Sequence, residues 1–106
     1  MKRCIAVRWT SHPAVARLIR AHGDALTSTS ANRPGVPPAT RAAEILSQWG
    51  DAVARGVLRV LDGGALTPSK PSTVVDCTGR QPRVIRPGAI AASTLRESVP
   101  TLIGDA

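Results

Sequence analysis

The chain has 106 residues, 42% of them apolar, with two Trp and no Phe or Tyr. That length fits one domain with a modest core of Val, Ile, Leu and Ala, and the composition excludes a disordered chain and a platform of aromatics for stacking bases. Fourteen Lys and Arg against seven Asp and Glu give a net charge of +7, which suits anionic partners such as nucleotides or nucleic acid, or else forms a solvated basic surface. Residues 3–9 alternate, with Ile5, Val7 and Trp9 on one side and Cys4, Ala6 and Arg8 on the other, which predicts a strand. Pro13 opens a helix, and Val15, Leu18, Ile19 and His22 form one face of it before Gly23. Residues 25–29 read as a short strand, and 30–38 as a loop by their Pro, Gly, Asn and Ser content. Thr40 is expected to cap a second helix whose apolar face is Ala42, Ile45, Leu46 and Trp49 and which Gly50 ends. Strands are predicted over 57–61, 73–77 and 83–86, and a last helix from Ser93 to about Val99. The expected fold is α/β, with both of the longer helices packed on one mixed sheet.

Cys4 and Cys77 are far apart and show no metal-ligand spacing, so no metal site is expected. Reduced, buried thiols fit a cytoplasmic location. No segment approaches the ~20 apolar residues of a membrane span, and the N-terminus lacks the apolar stretch of a signal peptide.

Three segments carry the candidate chemistry. Ser28-Thr29-Ser30-Ala31-Asn32-Arg33-Pro34-Gly35 leaves a predicted strand and enters a loop ahead of a helix. Its backbone amides, hydroxyls and amide group suit phosphates or carboxylates; the alternative is a turn that caps its own backbone. Pro71 through Asp76 sets Ser72 and Thr73 where a loop becomes a strand. In Arg83 through Gly88, Arg86 before a turn offers a planar fork for phosphate, or is a surface arginine. His12 and His22 read as helix-end residues, and no Ser-His-Asp set, P-loop or G-x-G-x-x-G is present, so no catalytic residue is assigned.

In order, these segments resemble the YrdC-like threonylcarbamoyl-AMP synthase family. Arg8 through Pro13 is similar to the family's R-x-P-x-H-P element, and Leu26 through Pro38 to its T-S-A-N-x-S-G-x-P loop. Leu61 through Gly64 is similar to its L-D-G-G, and Pro71 through Asp76 with Val84 through Ile90 to its P-S-T-V-V-D and I-L-R-P-G-A-I. Thr10 stands where the family has Pro, Pro34 where it has Ser, and Cys4 where it has Thr. Related carbamoyl-transfer maturation proteins tend to have Gly where Ala31 stands.

The resemblance implies a partial YrdC-like domain over residues 1–106, a twisted mixed sheet with packed helices lacking its N-terminal half. It implies formation of threonylcarbamoyl-adenylate and pyrophosphate from threonine, bicarbonate and ATP, for modification of tRNA adenosine 37. Arg8, Ser28 and Ser72 would hold threonine. Ser30, Asn32, Pro38 and Arg86 would hold ATP, with Cys4 at the place of the family's Thr. Mg²⁺ would arrive with the triphosphate, and no prosthetic group is implied. The family's Lys/Arg element, K-R-P-x-x-K-P-L, has no counterpart here, so robust activity from this chain alone is not expected; another chain could supply that half. The competing expectation is a basic module that binds tRNA or double-stranded RNA, or a partner without synthase activity.

Overall fold

The computed structural model describes residues 3–104. Within them lie helices α1 (Pro13–His22) and α2 (Ala42–Ala54), strands β1 (Val74–Asp76) and β2 (Arg83–Arg86), and helix α3 (Ala92–Ser98). The chain forms two compact units, Ala6–Thr67 and the stretch from Pro68 onward together with the residues up to Ile5.

In the first unit, α1 begins and ends as its sequence dictates. Pro13 sits at the start, where its missing N–H leaves no bond unmade, and His12 before it is extended. Gly23 closes the helix with φ 82°, a left-handed conformation that other residues adopt at a cost, and its N–H donates to the Ile19 carbonyl at 2.9 Å. At the start of α2, Glu44 reaches back one turn: its carboxylate accepts from the Thr40 N–H at 3.1 Å and from the Thr40 hydroxyl at 3.3 Å. Thr40 is therefore not the cap expected from sequence. Arg41 takes that position, and Thr40 is the group that Glu44 captures. Nor does α2 end at Gly50. Trp49 leaves helical geometry (φ −132°, ψ 28°), and the helix resumes to Ala54 across the break.

The second unit contains the sheet and the core. β1 and β2 pair antiparallel, Val74 with Arg86, Val75 with Val84 and Asp76 with Arg83, with an irregularity between Val74 and Val75. Asp76 builds the connection, its carboxylate accepting from both the N–H and the hydroxyl of Thr78 at 2.9 and 2.7 Å. The chain then returns beside β2: Ile103 forms a parallel bridge with Arg83, through Val84 N–H to Ile103 O and Ile103 N–H to Pro82 O, both 2.9 Å. Val84, Ala92 and Leu102 are buried, with Val75 and Leu95 packed against them. Arg96 ties down the last turn by donating to the carbonyls of Leu102 and Gly104 at 3.2 and 2.6 Å.

The α/β class holds, but the expected mixed sheet is not formed: among the described residues the only named sheet has two strands. Residues 3–9, 25–29 and 57–61 are not strands. Ile5, Val7 and Trp9 are 87, 83 and 99% exposed, so the alternation is present without the partner that would turn it into a ladder. The helix faces lack the expected cover too: α1 and α2 have no buried residue, Val15 and Leu18 are exposed, and Ile45 and Trp49 are half-buried. Ser93 lies inside α3, whose cap is Ala91. The cysteines are exposed free thiols, Cys4 in an unpaired segment and Cys77 just beyond β1, not the buried groups expected. No helix among the described residues is long and apolar enough to cross a membrane.

Candidate functional site

The first candidate segment folds as a loop whose own groups fix its shape. Arg33-Pro34-Gly35-Val36 is a turn closed by the Val36 N–H on the Arg33 carbonyl at 3.0 Å. Pro34 presets φ for its first central position, and Gly35, at φ 78°, supplies the positive φ of the next, as a type II turn requires. Pro at position 34 is thus compatible with this turn in a way that needs no hydroxyl there. Ala39 N–H donates to the Ala31 carbonyl at 2.9 Å and closes the loop around the turn.

Asn32 acts inside this loop. Its amide nitrogen donates to the carbonyls of Val36 at 2.8 Å and Arg33 at 3.2 Å. Its Oδ1 is buried and has no hydrogen-bond partner. An unmatched buried acceptor costs about 1 to 3 kcal/mol, and such groups are uncommon enough in native structures to mark a place of interest. Ser28, Ser30 and Pro38 are exposed, and no hydrogen bond from the Ser28 or Ser30 hydroxyl is present among the described residues. Arg8, in the segment before α1, is also exposed.

In the second unit, two candidates separated by fourteen positions meet. Arg86 Nε and Nη2 donate to the Ser72 carbonyl at 3.2 and 2.9 Å. The hairpin register makes this contact, because Arg86 lies opposite Val74, two residues after Ser72. The same junction is closed by Ala89 N–H on Pro71 O at 2.9 Å and by Thr73, whose hydroxyl donates to Ile90 O at 2.6 Å. Gly88 belongs to it by necessity: a Cβ there would collide with the backbone of Pro71, Ser72 and Thr73. The P-S-T and R-P-G-A-I segments are therefore one structural piece. The Ser72 hydroxyl is on an exposed residue and makes no hydrogen bond among the described residues. Cys4 shares this unit, whereas Arg8, Ser28, Ser30, Asn32 and Pro38 belong to the other. No group of three or more His, Cys, Asp or Glu that could hold a metal occurs among the described residues.

Sequence reasoning placed Arg33 in the candidate loop and Trp49 on the apolar face of α2, but did not name Gln48 or bring the three together. The Arg33 guanidinium carbon stands 5.6 Å from the Trp49 ring centroid, and Arg33 makes three hydrogen bonds to Gln48. The available signal was Trp49-Gly50 followed by further helix-compatible residues, a pattern that fits a break as well as an end.

Residues 1–88 match the Sua5/YciO/YrdC family model, described as telomere recombination. The threonylcarbamoyl-AMP synthase of Mannheimia succiniciproducens is 47% identical over 66 residues, 62% of this chain and 35% of that protein. That of Chromohalobacter salexigens is 43% identical over 72 residues, 68% of this chain and 36% of that protein. A Mycobacterium tuberculosis protein provisionally named for the same synthase is 39% identical over 93 residues, 88% of this chain and 41% of that protein. The chain thus spans less than half the length of these relatives. No solved structure matches it. A match that runs from residue 1 to residue 88 covers most of the sequence, and the chain belongs to the Sua5/YciO/YrdC family.

Proposed function

We propose that this chain carries part of a threonylcarbamoyl-AMP synthase domain and binds ATP and threonine through the two segments described above. The observation that carries the reading is the Arg86 fork on the Ser72 carbonyl. It joins the arginine expected at ATP to the serine expected at threonine. Two of the five guanidinium donors are engaged there, which leaves others to meet a phosphate. Arg8 would pair with the threonine carboxylate, and the Ser28 and Ser72 hydroxyls would orient the amino acid. Ser30, Asn32 and Pro38 would form the nucleotide side, taking Mg–ATP as substrate.

In the reaction of this class, a threonine-derived carbamate attacks the α-phosphate and pyrophosphate leaves. The protein's share is to hold the reactants in line and to stabilise the charge that develops. In this reading a complete site also needs cations that this sequence does not supply, and isolated binding is weak and salt-sensitive because exposed phosphate contacts are screened.

Calorimetric titration of the 106-residue chain with Mg–ATP, at low and physiological salt, tests the reading. Arg86→Ala should weaken binding by about tenfold or more, as expected for a lost charge-assisted hydrogen bond, whereas Arg59→Ala, which removes the same charge elsewhere, should change it little. Equal losses in both variants would leave only diffuse attraction to a basic surface. Pyrophosphate release that is fast and depends on threonine, bicarbonate and ATP would refute the expectation of weak activity alone.

A further inference from the structure

Arg33 is the point at which the candidate nucleotide loop is fastened to a helix. Its backbone N–H donates to Gln48 Oε1 at 3.2 Å, and its Nε and Nη2 donate together to the Gln48 carbonyl at 3.2 and 2.9 Å. Its guanidinium also stands over the Trp49 ring, 5.6 Å from guanidinium carbon to ring centroid, within cation–π range. One loop residue is therefore held by two consecutive residues of α2, and they are the residues at the break, where Trp49 departs from helical geometry. In an intact helix the carbonyls point along the axis into the ladder; at a break they become accessible to outside donors.

On the loop side, the same Arg33 is equally central. Its carbonyl accepts from Val36 N–H, which closes the turn, and from the amide nitrogen of Asn32. Fixing Arg33 thus fixes both the turn and the side chain of Asn32. The break in α2 has a use in this arrangement, and so does an arginine at position 33. Two parallel donors on one acceptor, with a flat cation on an indole, is a geometry that lysine does not reproduce.

We propose that Arg33 is a positioning residue: it pins the 30–38 loop to the break in α2, so that Ser30 and Asn32 meet a nucleotide in a loop already shaped to receive it. Preorganisation of this kind raises affinity by removing the cost of ordering the loop on binding. The benefit to nucleotide rests on the function proposed above; the pinning does not.

Amide hydrogen exchange in the nucleotide-free 106-residue chain separates the two. In Arg33→Ala and in Arg33→Lys, the Val36 and Ala39 amides should exchange at least about tenfold faster than in the parent chain, while Ala16 in α1 keeps its rate. Gln48→Ala, which removes one contact and keeps the carbonyl, should accelerate Val36 by less and guards against a global effect of the arginine substitutions. Unchanged loop exchange in all three variants overturns the proposal. So does parent-like protection in Arg33→Lys, because charge rather than the fork would then suffice. Mg–ATP titration of the same proteins should show about tenfold weaker binding in both arginine variants. If the parent chain binds no Mg–ATP, the nucleotide reading fails and the exchange rates still decide the pinning.

Discussion

Between Pro68 and Gly104, three side chains are buried; between Ala6 and Thr67 none is, although that stretch is longer and carries both of the longer helices. The difference lies in how far each element must reach for a partner. β1 and β2 are joined by a short turn, and Ile103 comes back beside β2 within a few residues of α3. Closing such short loops costs little entropy, and the resulting sheet, helix and return strand are enough to enclose Val84, Ala92 and Leu102. In the other unit, the apolar faces of α1 and α2 and the alternating residues Val7 and Trp9 need a surface to pack on. Without one, helices form from local signals and stop short of a core. Secondary structure and burial are thus separable within one chain.

Four substitutions sharpen or break this contrast. The largest effect is expected from Gly88→Ala, since its Cβ meets rigid backbone on three residues rather than a side chain that can turn away. A loss of about 3 kcal/mol of unfolding free energy is expected in urea, and a neutral outcome would mean that the junction between Pro71 and Gly88 is looser than it stands here. Next, Leu102→Ala should cost about 2 kcal/mol because that side chain is 4% exposed. Leu18→Ala, at a position 50% exposed, should cost under about 1 kcal/mol. Equal costs would abolish the distinction between the units. The smallest effect belongs to Glu44→Ala, which removes the carboxylate that holds Thr40 and should reduce α2 helicity by circular dichroism at a cost of about 0.5 kcal/mol.

What was legible in the sequence follows the same division. Pro13 and Gly23 marked both ends of α1, and Arg83 through Arg86 was read as a strand with its observed bounds, because each signal is carried by the residues themselves. Residues 3–9, 25–29 and 57–61 were misread because alternation shows that a segment has two faces and says nothing of whether a partner lies alongside. The break at Trp49 was missed because Gly50 signals an end and a kink equally well. Of the candidate site, Ser72 and Arg86 were named from the resemblance, one for threonine and the other for ATP; the contact between them runs through the Ser72 backbone carbonyl and follows from the hairpin register. The role of Arg33 was not, since a lone loop arginine carries no mark of the carbonyl it will find fifteen positions away.

With no tyrosine and two tryptophans, the near-ultraviolet spectrum of this chain comes almost wholly from two indoles. They sit in opposite surroundings: Trp9 is 99% exposed to solvent, while Trp49 is half-buried beneath a guanidinium at the break in α2. An indole in water emits further to the red and is open to dissolved quenchers, and one under a cation is shielded on that face. The chain therefore carries an internal pair of fluorophores, one reporting on the segment before α1 and the other on the fastening of the loop, with no label to be added.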